Sequence, residues 1–236
     1  MSFRRRIDRN RTREFAETGR RLTQERKAAP GIVDPLLQKT ARTNWPALAE
    51  RPELQTAGAL ERLGNLFAER LTQDAVHAKA IADLAVSAAE AMPEHLYPAV
   101  VIGQLRAHAW KDLGKALRFL GKNEESVEAF ATAEQRLEVG PAALAHDLAI
   151  VRFNLAVSLQ ELDRYDESRA LLSEAKQVFK DHDDTRNAIY CALGEGVLLQ
   201  RLKRFREARE VYLSSSTHVS SNLGYITGTR NRGLDA

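Results

Sequence analysis

Six histidines, one cysteine and a dense scatter of carboxylates and arginines are the residues of this 236-residue chain that could do chemistry. Metal ligation and nucleophilic catalysis both depend on spacing. His77, His95, His108, His146, His182 and His218 stand far apart. None pairs with a second histidine four residues on across a glutamate, the arrangement that places two imidazoles on one helix face to grip zinc. Cys191 is the only cysteine, which excludes an internal disulfide and a thiolate-based zinc site. Set between Tyr190 and Ala192 in a helical pattern with no histidine partner motif, it reads as an inert, part-buried thiol. Gly194-Glu195-Gly196 falls within a helix and does not follow a strand, so it reads as helix packing and not as a phosphate cradle. Asp181, Asp183 and Asp184 read as a polar loop between helices. These residues carry no enzyme signature, and neither a metal nor a cofactor is expected.

The chemistry that remains is charge recognition. Residues 1–29 hold ten basic groups, among them Arg4, Arg5, Arg6, Arg9, Arg11 and Arg13, against Asp8, Glu14, Glu17 and Glu25. That is a net +6, and the chain total of +3 leaves the remainder at −3. Phe3, Ile7, Phe15 and Leu22 are nearly its only large apolar groups, too few for a core of its own. A guanidinium fork suits phosphate, so Arg4 to Arg13 are the candidates for nucleic-acid contact. The interleaved acids and the lack of an aromatic ladder favour a solvated helix with counter-charges, or the remnant of a longer reading frame.

The elements that must position these groups are helical. Hydrophobic residues make up 44% of the chain and aromatics 6%, with abundant Ala, Leu, Glu and Arg, which lose little rotamer freedom in a helix. No apolar run reaches the ~18 residues of a membrane span and no secretory leader is evident, so a cytoplasmic protein without membrane contact is expected. Ala28-Ala29-Pro30-Gly31 reads as a linker, and Pro35, Pro46 and Pro52 divide residues 30–52 into short pieces. Leu54, Leu60, Leu63, Phe67 and Leu71 then recur at helical spacing. After Thr72-Gln73-Asp74 a second run follows through Ala78, Ile81, Ala82, Ala85 and Ala89, making an αα-hairpin. Pro98 opens a long helix that stops at Leu120, where Gly121 supplies a left-handed end. Its partner runs from about Glu124 to Leu137 and ends near Gly140, with Pro141 opening the next.

Within that pair, Trp110-x-x-Leu113-Gly114-x-x-Leu117 is followed by Ser126-x-x-x-Phe130-x-x-Ala133. The unit recurs: Ser126 is matched by Ser168, 42 residues on, and then by Ala208, 40 residues further. Phe130, Leu172 and Tyr212 follow as the large residues, and Ala133, Ala175 and Ser215 as the small ones. Leu113-Gly114, Leu155-Ala156 and Glu195-Gly196 fill the paired slot in the first helix, with Glu195 departing from the leucine expected there. This pattern resembles the tetratricopeptide repeat (TPR), with Leu117 where an aromatic usually falls and a period near 41 instead of 34. The resemblance covers about residues 54–215. The layout also resembles bacterial TPR regulators and adaptors in which such hairpins follow a DNA-binding or zinc-binding module, and no module of either kind is recognisable in this sequence. The fold implied is all-α, a right-handed superhelical solenoid of αα-hairpins with a basic N-terminal arm. Its expected divisions are the arm (1–29), a linker with short helical pieces (30–52), about four hairpins (53–217) and a flexible tail (218–236).

The resemblance also implies a surface. In TPR proteins the first helices line a concave face, and the register transfers that face to His108, Lys111, Lys115, Arg118 and Phe119 in one repeat. The next contributes Ile150, Phe153, Val157, Gln160 and Glu161, and the last Tyr190, Leu193, Val197, Gln200 and Arg201. Such a groove, basic then apolar, suits a peptide or protein partner with acidic residues followed by hydrophobic anchors. The asparagines with which TPR co-chaperones grip a terminal carboxylate are missing. Against this stands packing of Phe153, Val157, Leu193 and Val197 between neighbouring repeats. The function implied is a non-catalytic adaptor. Its alternatives are a regulator whose arm contacts nucleic-acid phosphates and an assembly joined through uncovered terminal repeats, which also admits a homo-oligomer.

Overall fold

Three hairpin turns share one backbone solution, and their spacing is that of the sequence repeat. Gly121, Asp163 and Lys203 each take a left-handed conformation, at φ of 73°, 57° and 59°. The amide that follows each one closes the preceding helix in the same way: Lys122 N to Leu117 O, Arg164 N to Leu159 O and Arg204 N to Leu199 O, at 2.8–2.9 Å. This closure satisfies carbonyls that a helix C-terminus leaves orphaned and reverses the chain for the second helix.

The computed structural model describes the backbone of residues 2–138 and 144–215, with side chains from Ala16 onward. Expectations about Gly140, Pro141, His218 and the tail lie outside the described residues. The helices are α1 (Ser2–Lys39), α2 (Trp45–Leu48, preceded by a 3-10 turn at Arg42–Asn44), α3 (Ala57–Leu71), α4 (Ala75–Glu90) and α5 (Ala99–Phe119). There follow α6 (Asn123–Glu138), α7 (Ala145–Glu161), α8 (Tyr165–Asp181), α9 (Thr185–Arg201) and α10 over 205–215. No strand occurs among the described residues. The architecture is all-α and TPR-like, with successive helices packed as hairpins. The chain divides into two compact units, Met1–Leu144 and Ala145–Ala236.

In the first unit the structure departs from the break expected at Pro30-Gly31. α1 continues through Pro30 and Pro35 to Lys39. A proline inside a helix removes an N–H and crowds a carbonyl, which disfavours the helix by about 3 kcal/mol. Tertiary burial offsets it: Ala29 and Val33 are buried against the neighbouring helices, with Leu22, Leu36 and Leu37 packed on the same core. The short helical pieces appear only after Lys39. There Trp45, Leu48 and Ala49, and after them Leu54, are buried core residues.

The start of α3 shows why α1 docks where it does. A Cβ at Gly58 would lie 2.4 Å from the Glu25 carbonyl carbon, so only glycine admits the α1 backbone at this distance. The approach lets distant side chains serve the orphan amides of α3. Ala57 N donates to the Tyr97 hydroxyl at 3.0 Å, Gly58 N to Glu25 Oε2 at 3.4 Å, and Ala59 N to Thr56 Oγ1 at 3.2 Å. The Tyr97 hydroxyl donates in turn to Glu25 Oε2 at 2.5 Å. Burial, together with the Glu25 carboxylate, pushes the Tyr97 phenol up to about 12.

The hairpins close by the large-against-small rule of the repeat. Phe130 is fully buried, its ring lying where a Cβ on Gly114 would stand at 2.9 Å, and Ser126 Oγ donates to Gly114 O at 2.8 Å. Trp110 Nε1 donates to Glu90 Oε1 at 2.8 Å, which also takes Arg136 Nη2 at 2.9 Å. In the second unit Gly196 faces Tyr212 in the same manner. Leu172, Ala175, Phe179 and Cys191 form its core with Ala149 and Ala156.

Candidate interaction faces

α3 and α5 are the first helices of adjacent hairpins in the first unit, and their facing sides leave an open cleft of about 640 Å³. α5 contributes His108, Lys111, Asp112 and Lys115; α3 contributes Glu61, Gly64, Asn65 and Ala68, with Thr72 at its C-terminal cap; Leu60, Phe67, Leu71 and Leu105 supply the apolar lining. Helical spacing puts 108, 111, 112 and 115 on one stripe, so the cationic side of α5 faces the opening. Three of the five residues expected here therefore line a real concavity. Arg118 and Phe119 lie outside its lining, Arg118 half-buried and Phe119 51% exposed. Burial holds the Lys115 ammonium below the usual lysine range; Lys111 and Arg118 lower it further while Asp112 opposes.

In the second unit the expected face divides into two kinds of residue. Phe153 and Ile150 are half-buried and pack against the core. Gln160 departs furthest from its expected place in the groove. It is 1% exposed, and its amide donates to Ser168 Oγ at 3.0 Å and to Gly194 O at 3.1 Å, tying α7 to the helices on either side of the next turn. Val157 and Leu193 are half-buried. Tyr190 and Val197 are 41% and 39% exposed, two turns apart on α9, with the Arg186 guanidinium 5.7 Å above the Tyr190 ring. Gln200 accepts from the Tyr212 hydroxyl at 3.1 Å, and Arg201 pairs with Glu161 at 2.6 Å, so these polar groups already bind their own neighbours. The last helix among the described residues, α10, exposes Phe205 and Leu213.

Two groups escaped the sequence reading. Glu195, the departure from the leucine slot, is held by Lys176 Nζ at 2.6 Å, both side chains about a quarter exposed. An acid in a packing position is the signal that a counter-charge must lie opposite. His146 Nε2 lies 2.8 Å from Asp184 Oδ2, edge-on to Phe179 and His182, while Asp184 Oδ1 accepts from Asn187 N at 3.0 Å and so caps α9.

Cys191 is fully buried, and burial followed by the Glu195 carboxylate pushes its thiol up to about 12. Among the described residues no group of three or more His, Cys, Asp or Glu could hold a metal ion, and no helix is long and apolar enough to cross a membrane. The side chains of Arg4, Arg5, Arg6, Arg9, Arg11 and Arg13 lie outside those described. Arg21 and Arg26 within α1 are engaged internally, with Glu25 and Leu96 O and with Glu61 respectively.

Residues 147–218, which begin two residues into the second unit, match the family model described as tetratricopeptide repeat. No curated protein matches the chain.

Proposed function

We propose, from the premise that the chain is a tetratricopeptide-type repeat protein, that it recruits a polypeptide partner through the open faces of its first helices. Repeats of this type are in general non-catalytic scaffolds for protein–protein contact. The observation that carries the finer reading is the α9 face. Tyr190 and Val197 stay exposed on a helix whose next positions, Cys191 and Leu198, are buried in the core. Large apolar groups aligned two turns apart, with half-buried Leu193 between them, offer the i, i+3, i+7 anchoring that an amphipathic helix or an extended segment uses.

The test is a photo-crosslinking amino acid placed at position 197 and, as control, at the exposed Ser173 on α8. The reading expects one dominant protein adduct from 197, absent at 173 and lost with Tyr190→Glu. Equal adducts at both positions, or none at 197, would overturn it. A second reading, self-association through α10, is favoured by Phe205 at 64% and Leu213 at 53% exposure. Light scattering across a concentration series checks it: a mass that rises with concentration and returns to monomer on Phe205→Glu supports it, and a constant monomer mass removes it.

A further inference from the structure

We infer that the α3–α5 cleft of the first unit is a receptor for an acidic side chain of a bound polypeptide, with Lys115 as its counter-charge and the Phe67–Leu71 wall as the seat of a neighbouring apolar side chain. The inference rests on the reading above that the chain holds a polypeptide, but its site lies outside the residues that match the repeat family.

A charge ledger of the cleft isolates one group. Glu61 would be the natural partner for a lysine across the opening, but it is taken: Arg26 of α1 grips it through two bonds of 2.5 and 2.6 Å. Asp112 sits beside Lys111, 3.6 Å from its Nζ. Lys115 lines the cleft, is half-buried, and makes no hydrogen bond or ion pair among the described residues. Removing an ammonium from water without a partner is unfavourable, and its depressed titration reflects that. A carboxylate entering the cleft restores the missing partner, and the gain is larger here than at an exposed lysine because the site is partly desolvated.

The walls indicate the rest of the guest. Lys115 is the one unmatched ammonium in the lining, and the Arg118 guanidinium, whose charge reaches it, lies outside that lining, so the cleft suits a singly charged carboxylate better than a doubly charged phosphate. Leu60, Phe67, Leu71 and Leu105 give an apolar lining that a free carboxylate ion leaves unused and that a leucine or phenylalanine adjacent to the acid fills. Gly64 leaves room for the guest backbone: a Cβ there would only touch Asp112, at 3.6 Å.

The test uses the full chain, Lys115→Gln, Lys115→Arg and Val197→Glu, panned against random twelve-residue peptides displayed on phage. Enriched peptides should carry Asp or Glu next to a large apolar residue. A synthetic peptide of that sequence should bind equally well with its C-terminus free or amidated, weaken about tenfold on Lys115→Gln, and be retained by Lys115→Arg. Replacing the peptide's acid by its amide should weaken it equally. In the unsubstituted protein the Lys115 side-chain resonance should titrate at higher pH when the peptide is bound, a change that a purely structural lysine would not show. Selected peptides without acidic excess, equal affinity for Lys115→Gln, competition by acetate or inorganic phosphate as effective as by peptide, or no binder at all would overturn the inference. Peptides lost on Val197→Glu but indifferent to Lys115→Gln would overturn it while leaving the scaffold reading in place.

Discussion

A methyl group at Gly114 would meet the Phe130 ring at 2.9 Å, and the ring is fully buried with nowhere to turn. Gly114→Ala should therefore destabilise the first unit by about 1–2 kcal/mol in denaturant unfolding, overpacking outweighing the ~1 kcal/mol that alanine returns in helix propensity. Asp184 gives a pH-dependent counterpart. Burial pushes its carboxyl up, but bonds from the Asn187 amide and side chain and from His146 pull it further down, for a net lowering. A carboxyl lowered on folding stabilises above its unfolded pKa and loses that contribution as pH falls through the folded one. Asp184→Ala should cost about 1 kcal/mol at neutral pH as a lost helix cap. The gap between variant and parent should narrow in acid unfolding, and a gap that stays constant would remove the carboxylate from this role. At this scale the sequence was legible where the rule was local: Ser126, Phe130 and Gly114 meet as their spacing required. Gln160 was not, because its burial depends on a carbonyl 34 residues away.

Among the elements, the hairpin turns were the easiest to read and α1 the hardest, for opposite physical reasons. Gly121 announces its left-handed turn by being glycine, whereas Asp163 and Lys203 reveal theirs only through the 42- and 40-residue register. A non-glycine residue pays about 1 kcal/mol in that region, most plainly for Lys203, whose side chain makes no hydrogen bond among the described residues to recover it. Lys203→Gly should accordingly raise stability by about 0.5–1 kcal/mol in thermal or denaturant melts, and a loss would show that the Lys203 side chain contributes more than its backbone strain. α1 defeated the local rules because Pro30-Gly31 is a strong turn signal. What overrides it, burial of Ala29 and Val33 and the fit of Glu25 over Gly58, joins residues more than 30 positions apart. The same distance hid the cleft's unmatched cation. Lys115 was placed on the open face by register, but its isolation follows from the long-range Arg26–Glu61 pair.

For the whole molecule, repetition told more than any single motif. Three anchors in register gave an all-helical hairpin architecture, while the division into two compact units was not among the divisions expected. Each unit has a core of its own, Leu63 at 0% exposure in one and Phe179 at 1% in the other. Leu63→Ala and Phe179→Ala should each cost about 2–5 kcal/mol. Where unfolding stays cooperative, the double variant should equal their sum within about 0.5 kcal/mol, and a larger coupling would show that the two cores act as one.

The capping of α3 sets a limit on how the polypeptide can be shortened. Its first amide protons are held by residue 97 downstream and residue 25 upstream, so a fragment begun at the apparent boundary near residue 30 would leave the Gly58 amide and the Tyr97 phenol without their shared acceptor. Such a fragment should express as a loosened, protease-sensitive species. One starting a turn or more before Arg21 should retain the resistance of the parent, and equal digestion of the two would show that the clasp is dispensable.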